Sequence, residues 1–413
     1  MRFVFFSMRD FTRDGGGSIR MYGILNAIAI KGYEVIFISN AKQNKNFHQS
    51  IIHIPINHAF SAKQKALFQF LLSFLPASIV SLCYKSFLKK ISIVLNKVVK
   101  DNEPVYFFEY LDNSIAYALK KNEIISSYIN DIHGVVPVEF QMRVKSSNNA
   151  IKKIYYYFKY VSSKALDKKV FNYADGLIYV SKKMESYYEA TTLKRRKPIL
   201  YIIPNVLGST KLSSSVDMEL KRYLLNQFRI EKNDFIFMFA GSYKATSGVE
   251  DLIVAFKKLY NDYLNIKLML IGKPTEVCKK MAIGFEKNII FIDNIPYDKL
   301  YTYQNLANVI VCPDRMNPYS NMIVHLKYFD ALASGKLVIN GNFDSVMEIN
   351  KNNCLSLTFE PSNVNSLYGS MKICIENYDF LVDEYKDVEK YTREHLTYSN
   401  YINVLIEGRN ELE

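Results

Sequence analysis

The chain has 413 residues, 49% hydrophobic and 23% charged, which excludes a disordered, collagenous or disulfide-stapled protein and leaves room for two or three ordinary domains. Its 53 Lys and Arg against 40 Asp and Glu give a formal charge of +13, a balance that suits an acidic partner: nucleic acid, a phospholipid surface or a phosphorylated substrate. The charge is uneven, since residues 1–200 hold 30 basic and 14 acidic side chains (+16) and residues 201–413 hold 23 and 26 (−3).

From the N-terminus, Met-Arg-Phe-Val-Phe-Phe-Ser is too short, and too soon interrupted by Arg9 and Asp10, for a signal peptide. Phe3 to Ser7 reads as a strand, followed by a loop with Gly15, Gly16 and Gly17, a helical pattern from Ser18 to Ile30 and a second strand from Glu34 to Ser39. A β-α-β unit with a glycine-rich first turn lets backbone N–H groups at a helix start approach a phosphate, so Gly16 and Gly17 are candidate phosphate contacts. The spacing is not G-x-G-x-x-G, which argues against a nicotinamide dinucleotide.

Val35 to Lys100 contains no Asp or Glu and carries Lys42, Lys45, Lys63, Lys65, Lys85, Lys89, Lys90, Lys97 and Lys100. Within it, Ala66 to Tyr84 is uncharged, but Pro76 and four polar side chains break it up. Two short amphipathic helices divided at Pro76 are expected, either as core or lid helices or, within residues 60–100, as a segment that contacts an anionic membrane.

Val105 to Phe108, Gly176 to Val180 and Ile199 to Ile203 read as further strands of a mostly parallel sheet. The polar stretch Leu207 to Asp217 follows, and a second alternating series begins. Strands are expected at Phe235 to Ala240, Ile266 to Ile271, Ile289 to Ile292, Val309 to Cys312 and Leu337 to Ile339. Between them lie helices at Gly248 to Leu259, Pro274 to Ile283, Tyr297 to Ala307 and Met322 to Ala333. The division is residues 1–205, a link at 206–232, a second domain at 233–385 and C-terminal helices at 386–413 that cross back to the first domain. The fold class is α/β, two doubly wound Rossmann-like domains with a cleft between them.

The five cysteines, Cys83, Cys278, Cys312, Cys354 and Cys374, are odd in number, contain no C-x-x-C pair and read as buried thiols of a reducing, cytoplasmic compartment. No nucleic-acid-reading module accompanies the basic half, so no nucleic-acid partner is expected. No Asp-x-Asp triplet and no histidine-carboxylate cluster with ligand spacing occurs, so no metal is expected.

Phe239-Ala240-Gly241-Ser242-Tyr243-Lys244-Ala245-Thr246-Ser247-Gly248-Val249, Lys327-Tyr328-Phe329-Asp330-Ala331-Leu332-Ala333-Ser334-Gly335 and Asn130-Asp131-Ile132-His133-Gly134 together resemble the retaining GT-B glycosyltransferases of the family-four group, which includes bacterial enzymes of surface-polysaccharide assembly. The resemblance implies that Gly241, Ser242 and Lys244 lie at the diphosphate of a UDP- or GDP-linked sugar, that Asp330 holds the ribose hydroxyls, and that His133 is the catalytic candidate facing the donor sugar. It implies a nucleotide-sugar substrate, no cofactor, and a glycan or lipid-linked acceptor at the inner face of the cell membrane. Members usually carry an Arg and a Lys in the first loop of the second domain; the aligned positions here are Ser242 and Ser247, with Lys244 between them as the substitute cation. The first acid of the family's paired motif falls on Met322, or, with an insertion, on Asn317 or Asn321. Arg315 and Lys327 are further cations expected near the diphosphate. The rival readings are a catalytically silent binding subunit and a nucleotide-sugar epimerase on the same architecture.

Overall fold

The computed structural model describes all residues except 10–15, 41–46, 57–60, 101, 194–197, 209–214 and 411–413. Gly15, Lys42, Lys45 and residues 209–214 of the expected link therefore lie outside the described residues. The chain divides into two units: residues 1–204 with the segment from Tyr398 onward, and Asn205–Thr397.

Unit 1 is built on a seven-stranded parallel sheet: β1 (Arg2–Ser7), β2 (Glu34–Ser39), β3 (Ile52–Pro55), β4 (Val105–Phe107), β5 (Tyr128–Ile132), β6 (Gly176–Tyr179) and β7 (Ile199–Ile202), in the order β3-β2-β1-β4-β5-β6-β7. β1 is buried along Phe3, Val4, Phe5 and Phe6 because helices cover both faces of a parallel sheet, and its aromatic rings pack on those of β4, with Phe5 and Tyr106 at 4.9 Å between centroids. The helices are α1 (Gly16–Ile30), α2 (Ala62–Phe74), α3 (Ala77–Cys83), α4 (Lys85–Val98), α5 (Tyr110–Lys121), α6 (Val136–Ser146), α7 (Ala150–Phe171) and α8 (Lys182–Thr191). The expected break at Pro76 is present: Leu75 closes α2 and Pro76, in an extended conformation, starts α3. β3 was not anticipated, because a short edge strand ending in Pro55 lacks the continuous apolar run of its neighbours.

Unit 2 carries a six-stranded parallel sheet: β8 (Phe235–Ala240), β9 (Ile266–Ile271), β10 (Ile289–Ile292), β11 (Val309–Cys312), β12 (Leu337–Gly341) and β13 (Leu357–Phe359), in the order β10-β9-β8-β11-β12-β13. Its helices include α9 (Met218–Gln227), α10 (Val249–Tyr260), α11 (Glu276–Met281), α12 (Leu300–Gln304) and α13 (Leu326–Leu332). Phe237, Phe239, Leu268 and Leu270 of the sheet pack against Leu252, Ile253 and Phe256 of α10.

Three expectations need correction. The helix anticipated from Met322 begins only at Leu326: the Val324 carbonyl accepts the Asn205 amide at 3.1 Å and Asn321 brackets Asp344, which holds this stretch out of helical register. Tyr297 to Ala307 is a 3-10 turn followed by the short α12. Of the cysteines, Cys278, Cys312 and Cys374 are buried, but Cys83 and Cys354 are exposed, at the ends of α3 and of a 3-10 turn where no packed layer covers them.

Candidate functional site

In each sheet the strand order reverses beside the first strand of the unit, between β1 and β4 and between β8 and β11. Loops leaving the carboxyl ends of two such strands diverge and open a crevice, the usual ligand position in open α/β sheets. Each unit carries its own cluster of candidate residues at this position.

In unit 1, Arg9 follows β1 and pairs with Glu109, the residue that precedes and caps α5. His133 follows β5. Its Nδ1 lies 3.1 Å from Asp131 Oδ2 and its Nε2 lies 3.6 Å from Glu109 Oε1. Burial opposes the imidazolium, but the hydrogen bond to Asp131, the nearby Glu109 carboxylate and the charges of both acids prevail and push the His133 pKa up to about 9. His133 is therefore cationic at neutral pH. Burial would raise the Glu109 carboxyl, yet His133 and Arg9 together hold it below its ordinary range. Asp131 is likewise held down, against burial, by Arg20 and His133.

Arg20, in the first turns of α1, is fully enclosed. Its guanidinium pairs with Asp131 at 2.6 Å and donates to the carbonyls of Ile203 at 2.8 Å and Pro204 at 3.2 Å. Arg9, Glu109, His133, Asp131 and Arg20 thus form a line of alternating charge that carries one net positive charge with the imidazole protonated. Beside it, Asp112 accepts Ser7 Oγ and the Met8 N–H, and burial outweighs these donors to push its carboxyl up to about 7.

Gly17 lies against this pair: a Cβ there would stand 2.9 Å from Glu109 Oε1 and closer still to Arg9 Nη1, the ends of two flexible side chains. The start of α1 at Gly16 and Gly17 consequently adjoins the Arg9–Glu109–His133 cluster, where the positive end of the helix dipole adds to the local potential. Arg9, Arg20 and Glu109 were absent from the sequence-based candidates, since their partners lie about a hundred residues away and no local pattern marks them.

In unit 2 the loop after β8 turns at Ser247, whose Oγ donates to the Ser242 carbonyl at 2.7 Å and accepts the Lys244 N–H at 3.3 Å. Ser247 is thus a turn residue. Ser242 and Lys244 stay exposed, and Lys244 has no ion-pair partner among the described residues. Gly248 adopts φ +63°, and a Cβ there would stand 1.8 Å from the Pro313 carbonyl oxygen, so only glycine lets this loop touch the one after β11. The Arg315 N–H closes the same contact on the Thr246 carbonyl at 2.9 Å.

The other cations here are engaged. Arg315 forks onto Asp251 at 2.6 and 2.7 Å and reaches Glu250 at 3.3 Å, both in the first turn of α10. Lys327 pairs with Asp314 at 2.7 Å and lies 5.1 Å over the Phe239 ring. Lys327 stays beside Gly241, since a Cβ there would meet its side chain at 3.7 Å, whereas Arg315 is directed to α10. His325, unremarked in the sequence, sits among Asp314, Lys327 and Lys244; burial first, and then the two lysines, hold its pKa below the ordinary value, leaving a neutral imidazole.

Asp330 lies in α13 and is pushed up to about 7 by burial, with the opposing hydrogen bond from the Tyr297 hydroxyl at 2.6 Å. Its carboxyl therefore titrates near neutrality. Asn317 spends its amide on Ser320 and the Arg315 carbonyl, Asn321 brackets Asp344 through both amide atoms, and Met322 is buried. All three positions weighed for the missing acid are committed to the local fold.

Residues 222–395 match the family model of Glycosyl transferases group 1. None of the curated proteins matches the chain by sequence. Among solved structures, a sucrose-phosphate synthase from Thermosynechococcus elongatus is similar over 100% of this chain and 99% of its own, with TM-score 0.71 and 15% identity. HepE from Anabaena in complex with UDP-glucose covers 100% of both chains at TM-score 0.67 and 11% identity. WaaG, a glycosyltransferase involved in lipopolysaccharide biosynthesis, aligns over 97% of this chain and 98% of its own at TM-score 0.64 and 13% identity. At these identities the likeness establishes the fold: two parallel-sheet, Rossmann-like halves of the GT-B class.

Proposed function

We propose that the chain is a retaining, metal-independent glycosyltransferase that moves a hexose-type sugar from a UDP- or GDP-linked donor to a glycan or lipid-linked acceptor, at the inner face of a cell membrane and in surface-polysaccharide assembly. The observation that carries this reading is the position of the family match: residues 222–395 include both the loop after β8 and α13, where the resemblance puts the diphosphate and the ribose. The Anabaena neighbour was solved with UDP-glucose, which makes the uridine nucleotide the first to test.

In this reading the Lys244 ammonium, beside the exposed Ser242, draws charge off the departing nucleoside diphosphate. Asp330 accepts the two hydroxyls of the ribose, as a carboxylate can from a vicinal diol. His133, as an imidazolium with its Nδ1 on Asp131, turns its Nε2–H, which is 3.6 Å from Glu109, to the sugar as a charge-assisted donor. The anomeric carbon loses its bond to the phosphate oxygen and gains one to the acceptor hydroxyl on the same face, and the acceptor's proton passes to the leaving phosphate.

The Asp330 pKa of about 7 gives a pH test of nucleotide binding. The ionised carboxylate is the stronger acceptor, so UDP affinity measured by calorimetry rises roughly tenfold from pH 5.5 to 8.5, the difference between charged and neutral acceptors. Asp330→Asn binds weakly and without this dependence. A wild-type affinity flat across the range removes Asp330 from the nucleotide.

A further inference from the structure

The acid-free stretch from Val35 to Lys100 has a counterpart: residues 140–166 contain no Asp or Glu and carry Arg143, Lys145, Lys152, Lys153, Lys159 and Lys164. The two pack together. α2 lies along α7, and Lys169 Nζ of α7 donates to the carbonyls of Leu72 and Leu75 at 3.0 and 3.1 Å, fixing the end of α2.

The combined surface also exposes large apolar side chains. In α7, Ile151, Ile154, Tyr155 and Phe158 recur at the i, i+3, i+4, i+7 spacing that ordinarily marks a core stripe, yet their exposures are 80%, 59%, 54% and 59%. From Ser162 onward the same helix is largely buried. α2 adds Leu67, Phe70 and Phe74, likewise exposed. An apolar stripe of this kind, flanked by exposed Lys152 and Lys153, needs a cover that is apolar in depth and negative at its surface.

We infer that the first three turns of α7, together with α2, lie in the interface of an anionic phospholipid bilayer, the apolar stripe among the acyl chains and the lysines at the phosphates. A second copy of the chain fits poorly, because a twofold contact would set this surface against itself and oppose its unbalanced cations. Among the described residues no helix is long and apolar enough to cross a membrane, so the contact is peripheral at these helices. The inference rests on the membrane location proposed above and deepens it by naming the surface of unit 1 that docks, while the chemistry of the site is tested separately.

The test is co-sedimentation of the full chain with vesicles of phosphatidylcholine alone or mixed with phosphatidylglycerol, at low and high salt. The parent pellets with the mixed vesicles at low salt, is released from them at high salt, and stays in the supernatant with the neutral ones. Ile151→Ser/Ile154→Ser/Phe158→Ser and Lys152→Gln/Lys153→Gln/Lys159→Gln each lower binding at least about tenfold, as loss of several interfacial side chains requires. Circular dichroism confirms folding, and UDP affinity, measured in parallel, stays at the parent value and separates this result from the nucleotide reading. Parent-like binding by the serine variant overturns the inference. So does a parent that ignores vesicles and sediments as a dimer dispersed by the same substitutions.

Discussion

Arg20→Met lowers the unfolding free energy by about 3–5 kcal/mol, the usual cost of stripping one partner from a buried ion pair. The guanidinium is 1% exposed and Asp131 2% exposed, so no water replaces what is lost. At least five bonds disappear together: three onto Asp131 and the donations to Ile203 and Pro204, whose carbonyls hold the chain directly after β7. Asp131 would then be balanced by His133 alone. Arg20→Met/Asp131→Asn removes the stranded charge and recovers part of the loss. The chain has no Trp, so urea unfolding is followed by far-ultraviolet circular dichroism. A shift in the single variant below about 1 kcal/mol, the value of an exposed pair, contradicts the enclosed geometry.

His133→Ala reduces kcat/KM by roughly 10²–10³, the loss typical when one preorganised donor is removed from a developing charge. The pH profile isolates the cause. With a pKa of about 9, His133 stays protonated through neutrality and the wild-type rate falls as pH passes 9. His133→Gln keeps a neutral donor, retains part of the rate and loses the alkaline limb. Glu109→Gln removes one of the carboxylates that sustain the imidazolium and moves that limb to lower pH, which marks Glu109 as a positioning residue. The same shift links to stability: because the folded pKa lies above the ordinary value of 6.5, the contribution of His133 is complete below about 6.5 and is lost as pH rises through 9. A profile unchanged in His133→Gln contradicts the assignment.

Four strands of unit 2 could be read residue by residue because Phe235–Ala240, Ile289–Ile292 and Val309–Cys312 are unbroken apolar runs and Ile266–Ile271 is interrupted only by Lys267, as parallel strands covered on both faces require. Helix starts were less legible. The first turn expected at Met322 is overruled by the Asn205 and Asp344 contacts, which belong to tertiary structure and leave no local trace. The site shows the same division. Asp330 and His133 stand in recognisable strings, whereas Glu109, Arg20 and Tyr297 gain meaning only when topology brings them to Arg9, Asp131 and Asp330. Arg315 and Asn317 illustrate the converse, since residues of suitable chemistry at suitable positions are engaged by Asp251 and Ser320.

The uneven charge acquires a structural meaning. Unit 1 concentrates it on two acid-free segments that pack into one surface, while unit 2 needs few cations and leaves Lys244 without an ion-pair partner among its described residues. Sugar transfer itself is tested most directly by incubating the purified chain with a panel of UDP- and GDP-linked sugars and lipid-linked acceptors, and measuring nucleoside diphosphate release together with acceptor extension. The account predicts release coupled one-for-one to extension with at least one donor, reduced in His133→Ala and in Lys244→Ala. Nucleotide binding without release or extension across the panel contradicts it and leaves a silent binding subunit.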